Sequence, residues 1–280
     1  MKLVFKKTEG LTDRPFHYCP GCTHGIIHRL IGEVLEELDL IDQTIGIAPV
    51  GCAGFCENYF ACDMIGAAHG RAVAVATGAK RARPDRVVFT YQGDGDGAAI
   101  GLAETISAAA RGEKITSIFV NNAIYGMTGG QMAPTTLVGQ RTSTSPYGRD
   151  SGQMGFPLDM PKLLNQVDGA AYVASVSVDT PQEIMKAKKA IKKAFQIQLD
   201  GLGYSFVSIL STCPTNWGVT PVEALSWLQE KMKPYFTLGE LKVPQADITV
   251  DRDSAQTLVE KNSVRIPNAL NGKEEEGGDE

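Results

Sequence analysis

No apolar run in the 280-residue sequence approaches the roughly 20 residues that cross a bilayer, so no membrane-spanning helix and no membrane partner are expected. The start, MKLVFKKTEG, lacks the apolar core that follows the basic residues of a secretion signal, and a cytoplasmic protein is expected. Positive charge is not in excess, with 27 Lys and Arg against 32 Asp and Glu for a net −5, and aromatics are only 7%. Lys and Arg are scattered, so there is no basic stripe for a phosphate backbone and nucleic acid is not an expected partner. Internal repeats are also missing. What remains, 43% hydrophobic and 21% charged residues, is ordinary globular composition and excludes collagenous and disordered readings.

Glycine and cysteine stand out instead. Many of the 30 glycines cluster between positions 93 and 155, and the six cysteines lie at 19, 22, 52, 56, 62 and 213. Without a secretion signal a disulfide framework is not expected, which turns attention to metal or redox chemistry. Apolar residues at helical spacing over 23–40 open directly after Cys19-Pro20-Gly21-Cys22 and predict an amphipathic helix. Short β-rich runs at 44–50, 86–91, 115–121, 171–178 and 204–210 alternate with helical patterns near 70–82, 97–112, 160–168 and 181–200. That alternation predicts an α/β fold with a doubly wound, mostly parallel sheet, whose ligands lie beyond the C-terminal strand ends. Residues 123–157 read as an ordered functional loop or lid, and a further helix is predicted over 222–233. We expect one domain over 1–234 and an extended arm over 235–280 with a disordered acidic end.

Gly93-Asp94-Gly95-Asp96-Gly97 falls at a strand end and a helix start. Glycines there let backbone N–H groups approach a phosphate, and a neighbouring carboxylate suits a bridging divalent cation. Taken alone the motif reads better as a tight turn with a capping Asp. Asn122, 28 residues after Asp94 at the end of the next strand, changes that weighing, because an Asp and an Asn from adjacent strand ends can together hold Mg²⁺.

GDG, then NN at this distance, is the diphosphate-binding signature of thiamine diphosphate enzymes. More narrowly, GDGDGAAIG, NNAIYGMTGGQ and AAHGRAVAVATG resemble the β subunit of the 2-oxoacid:ferredoxin oxidoreductases over about residues 15 to 235. The resemblance implies Mg²⁺ on Asp94, Asn122 and the backbone of Ile124. It implies a thiamine diphosphate site lined by Gly51, Cys52, Gly93, Gly95, Asp96, Tyr125, Gly126 and Met127, with His69, Gly70 and Arg71 close by. Outside the family, His69 and Arg71 would read as a satisfied histidine and a solvated charge. Cys19, Cys22, Cys52 and Cys213 match the four-ligand set of one [4Fe–4S] cluster in the β subunits that carry one. A Cys₄ zinc site is chemically compatible with the same spacing, and the adjacent thiamine motif favours iron. Cys56 and Cys62 read as buried thiols.

The resemblance implies oxidative decarboxylation of a 2-oxo acid to acyl-CoA and CO₂, with electrons leaving through the cluster to ferredoxin. The Glu that activates thiamine is expected on a separate α subunit carrying the pyrimidine-binding domain, so no catalytic residue is assigned to this chain. Free ferredoxin or γ and ferredoxin-like δ subunits are the further partners the resemblance allows. A non-redox thiamine decarboxylase or synthase subunit would have no use for four thiolates, and a structural zinc protein would not explain Asp94 with Asn122. Residues 53–66 follow Cys52 and contain Phe55, Tyr59, Phe60 and Met64 but no Lys or Arg, which favours a branched-chain acid such as 2-oxoisovalerate over 2-oxoglutarate. The alternative is that these aromatics are core and the partner subunit builds the pocket.

Overall fold

Strands buried along their whole length set the architecture, because continuous apolar runs need cover on both faces and so belong to a parallel sheet sandwiched by helices. The computed structural model describes residues 6–244. In it β1 (Thr44–Ala48), β2 (Asp63–Gly66), β3 (Val87–Gly93), β4 (Thr116–Asn121), β5 (Ala170–Ser177), β6 (Tyr204–Leu210) and β7 (Gly239–Lys242) form one sheet in the order β2-β1-β3-β4-β6-β5-β7. All pairs are parallel except β5 with β7, which is antiparallel. The expected α/β doubly wound sheet is therefore present.

The period of two along each strand divides the core. Phe89, Tyr91, Ile118 and Val120 pack on one face against α1 (His24–Glu37) and α6 (Pro181–Leu199). Val88, Phe119, Val173 and Phe206 face the other layer, built from α2 (Ala72–Ala82), α3 (Leu102–Ala110) and α5 (Met160–Asn165). Each such side chain contributes about 1.5–3 kcal/mol on full burial. Two short helices, α4 (Ser151–Met154) and α7 (Pro214–Trp217), precede α5 and α8 (Pro221–Trp227); helix α6 starts where Thr180 accepts the N–H of Glu183, and Thr220 with Glu223 forms a reciprocal cap at the start of α8. No helix among the described residues is long and apolar enough to cross a membrane.

Three elements depart from the sequence pattern. Strand β2 was not expected, since an exposed four-residue edge strand carries no apolar run. The helix expected from 97 begins as a wide π-helical turn over Asp96–Ile100 before α3. There a Cβ on Gly101 would lie 2.5 Å from the Asp96 carbonyl and 2.8 Å from that of Gly70, so the chain is bare where three backbones meet. Third, β7 falls within the expected arm 235–280 and joins the sheet, and Phe236 packs with Leu228 and Met232. Residues 245–280, including the acidic end, lie outside the described residues. Register places the site: Gly93 pairs with Val120, so Asp94 and Asn122 leave neighbouring strands at nearly the same level.

Candidate functional site

A cleft opens at the C-terminal strand ends. Its walls are Gly51, Cys52, His69, Gly93, Asp94, Gly95, Asp96, Asn122, Ile124, Tyr125, Gly126 and Met127, with His24, Val50, Ala53 and Thr128. The structure thus brings together the residues singled out in the sequence for diphosphate and Mg²⁺, apart from Gly70 and Arg71.

Asp94 is 3% exposed and faces no cation among the described residues. Its carboxylate accepts from the Gly95 N–H at 2.9 Å and from Thr135 Oγ1 at 2.6 Å. Burial pushes its pKa up to about 6, opposed by the Thr135 hydroxyl and the N–H groups of Gly95, Ile124 and Ala123. Asn122 lies beside it, its Oδ1 accepting the Ile124 N–H at 3.3 Å. Between them Ala123 adopts φ +57°, a left-handed conformation uncommon for a residue with a side chain. Hydrogen bonds to its carbonyl from Thr136 Oγ1 at 2.7 Å and Gln140 Nε2 at 3.1 Å hold the turn. An oxygen-only set of one buried carboxylate, one amide and a backbone carbonyl has the donor chemistry that Mg²⁺ takes. Gly93 meets the cleft with no atom within 4 Å of an added Cβ, while a Cβ on Gly95 would strike the Tyr125 ring at 2.0 Å. Both glycines suit a backbone that a phosphate approaches closely.

Asp96 lines the cleft and is held there by three partners on its own chain. Its Oδ1 accepts from His69 Nδ1 at 2.6 Å and from the Gly70 N–H at 2.8 Å, and its Oδ2 accepts from Gln92 Nε2 at 2.6 Å. Spending Nδ1 on Asp96 leaves His69 Nε2 as its remaining ring nitrogen at the cleft. Arg71 sits outside the cleft walls and pairs with Glu104 on α3, and Gly70 packs against Ile100.

The four cysteines arrive from three places. Cys19 and Cys22 form a turn closed by the Cys22 N–H on the Cys19 carbonyl at 3.0 Å. Thr23 Oγ1 ties that turn to the end of β6, bonding Ser211 Oγ at 2.7 Å and the Thr212 N–H at 3.1 Å. A Cβ on Gly126 would lie 3.3 Å from Cys52 Sγ and 3.4 Å from Cys213 Sγ. Burial first, then mutual repulsion with Cys213, Cys52 and Cys19, pushes Cys22 up to about 12, and Cys52 rises to about 11 through burial, Cys213 and Cys19. Such thiols ionise only against a strong positive charge, which is what a metal supplies. Among the described residues no group of three or more His, Cys, Asp or Glu is drawn in to metal-binding distance, so the gathering is a proximity and not a formed ligand shell. Of the two further thiols, Cys56 is buried as expected, and burial pushes its pKa up, whereas Cys62 is only half-buried, its sulfur 3.8 Å from Met64 Sδ.

Phe55, Tyr59, Phe60 and Met64, expected to shape the substrate pocket, do not line this cleft. Phe60 is buried in the core, Tyr59 bonds His17 Nδ1 at 2.6 Å, and only Ala53 of residues 53–66 reaches the cleft. Sequence reasoning also missed His24 and Thr135. His24 had one local signal, its place at the helix start two residues after Cys22; burial depresses its pKa to about 3, and its Nδ1 bonds Tyr91 Oη at 2.5 Å. Thr135 gave no signal, since its partner is 41 residues away.

Residues 49–209 match the family described as thiamine pyrophosphate enzyme, C-terminal TPP binding domain. Ketoisovalerate oxidoreductase subunit VorA of Methanothermobacter thermautotrophicus is 50% identical over 244 residues, 87% of this chain and 51% of that protein. The chain therefore spans about half the length of this relative. The 2-oxoglutarate synthase subunit KorB of Archaeoglobus fulgidus is 36% identical over 246 residues, 88% of this chain and 86% of that one. In solved form, 2-oxoglutarate:ferredoxin oxidoreductase from Magnetococcus marinus, with 2-oxoglutarate, coenzyme A and succinyl-CoA bound, superposes with TM-score 0.71 at 26% identity, covering 95% of each chain.

Proposed function

The chain belongs to the thiamine pyrophosphate enzymes, among the subunits of the 2-oxoacid:ferredoxin oxidoreductases, and from that premise we propose that it is the β-type subunit that holds thiamine diphosphate, Mg²⁺ and one [4Fe–4S] cluster. The assembled enzyme converts a 2-oxo acid to acyl-CoA and CO₂ and passes the electrons to ferredoxin. One observation carries this reading: Asp94 and Asn122 converge from adjacent strand ends at the cleft that Cys52 also lines, with Cys213 beside it. A non-redox thiamine subunit gives no reason for four gathered thiols, and a zinc protein gives none for the buried Asp94.

Asp94, Asn122 and the Ile124 carbonyl would hold Mg²⁺, and Cys19, Cys22, Cys52 and Cys213 the cluster. Thiamine diphosphate supplies a nucleophilic carbon and an electron sink, while the protein supplies binding and orientation. Gly93 and Gly95 bare the backbone toward the diphosphate. His69, fixed by Asp96, presents Nε2 to the cleft as a hydrogen-bonding group. The activating Glu comes from the pyrimidine-binding α subunit.

The substrate we favour is 2-oxoisovalerate. No Lys or Arg lines the cleft, so a second substrate carboxylate would be desolvated here without a cation, and the VorA relative acts in ketoisovalerate oxidation by name. In the assembled complex with CoA and ferredoxin, kcat/KM is expected to rank 2-oxoisovalerate above pyruvate and well above 2-oxoglutarate. Apolar acids should differ by roughly 10- to 200-fold per methylene. A preference for 2-oxoglutarate would overturn the substrate assignment. Visible absorbance that bleaches with dithionite, with iron and thiamine analysis of the same sample, tests the cofactor set.

A further inference from the structure

The loop that follows β4 contains a buried arginine with no carboxylate partner among the described residues. Arg149 is 6% exposed, and its guanidinium donates to backbone carbonyls alone. Nη1 reaches Pro134 at 2.9 Å and Thr136 at 2.6 Å, Nη2 reaches Phe156 at 2.8 Å and Met154 at 3.2 Å, and Nε reaches Gly155 at 3.0 Å. A buried cation answered only by neutral acceptors is expensive to hold, whereas a rigid five-donor fork is suited to joining several carbonyls at once. Here it joins two strips of the loop, 134–136 and 154–156.

The first strip ends in the site. Thr135 donates to Asp94 Oδ2 at 2.6 Å, and Thr136 donates to the carbonyl of Ala123, the left-handed residue between Asn122 and Ile124. We propose that Arg149 is a positioning residue: by gripping the Pro134 and Thr136 carbonyls it keeps the Thr135 hydroxyl on Asp94 and so aims that carboxylate at the divalent cation. The loop is then scaffold for the metal site and not a lid over it. This inference rests on the cofactor reading above.

The test is calorimetry of Mg²⁺-dependent thiamine diphosphate binding to the cofactor-depleted assembled complex, with iron content measured on the same samples. Groups that orient a metal ligand typically contribute about 10- to 100-fold in affinity. Thr135→Val and Arg149→Met are each expected to weaken binding by that order, with the loss recovered at high Mg²⁺ and iron content unchanged. Thr135→Ser should restore affinity, and Arg149→Lys, with three donors on a single nitrogen, should fall between. Should Arg149→Met open the loop to protease, Thr135→Val still decides, because it removes one hydroxyl and keeps the shape. Wild-type affinity in Thr135→Val, or in Arg149→Met, overturns the proposal. Asp94→Asn is the reference: if it too binds normally, the cofactor reading fails, whereas loss in Asp94→Asn with none in Thr135→Val refutes the positioning role alone.

Discussion

His28 shows how one residue ties stability to pH. It is fully buried in α1, its Nδ1 donates to the His24 carbonyl at 3.0 Å, its Nε2 accepts from Tyr18 at 3.3 Å, and its ring stacks on Phe60 at 4.7 Å. Both ring nitrogens are thus satisfied in the neutral form, and burial lowers the pKa from 6.5 to about 3. A folded-state pKa below the unfolded one favours the deprotonated ring, so this contribution is complete above pH 6.5 and is lost as pH falls toward 3. The slope is about 1.4 kcal/mol per pH unit for one proton. Urea unfolding of the full-length chain at several pH values should therefore show a shallower acid limb, by up to one proton, in His28→Gln; an unchanged slope would count against the neutral assignment. Gly95 matters by what it lacks. Gly95→Ala is expected to push Tyr125 from its place and weaken thiamine diphosphate binding, read by calorimetry on the assembled complex; the cost lies in the displaced ring and not in the backbone, since Gly95 has ordinary helical φ.

At the scale of elements, the cysteines depend on three connections meeting: the start of α1, the turn after β1 and the end of β6. Thr23 bonding Ser211 and Thr212, and Thr212 Oγ1 donating to the Gly21 carbonyl at 2.7 Å, lock the first to the third. Serine at Cys19, Cys22, Cys52 or Cys213 should lose iron and electron transfer to ferredoxin, whereas serine at Cys56 or Cys62 should keep the iron. Four irons retained per chain in Cys213→Ser would refute the ligand set. Short β-rich runs made strands β1, β3, β4, β5 and β6 legible and the 3.6-residue pattern the long helices, since the strands are covered on both faces and the helices bury one. Edge strands β2 and β7 were not legible: each is four residues long, and β2 is largely exposed, so neither needs an apolar pattern.

For the whole molecule, the cleft is lined in part by exposed apolar side chains, Val50 at 44% and Met127 at 47%. We expect this chain to co-purify with a larger pyrimidine-binding subunit across an interface of more than roughly 2,000 Å². The isolated chain should not decarboxylate any 2-oxo acid, and turnover by it alone would contradict the shared site. The sequence by itself determined the parallel sheet, through alternating buried runs, and the edge at which Asp94 and Asn122 emerge, through one motif at each of two strand ends. Only the tertiary structure decided that Asp96 serves His69 and Gln92, that Arg71 turns to Glu104, that Phe60 is core, and that Thr135 reaches back to Asp94. Strand and helix periods are set by local geometry and are written in neighbouring residues. Hydrogen bonds and burial across tens of residues are fixed by packing, and leave no period to read.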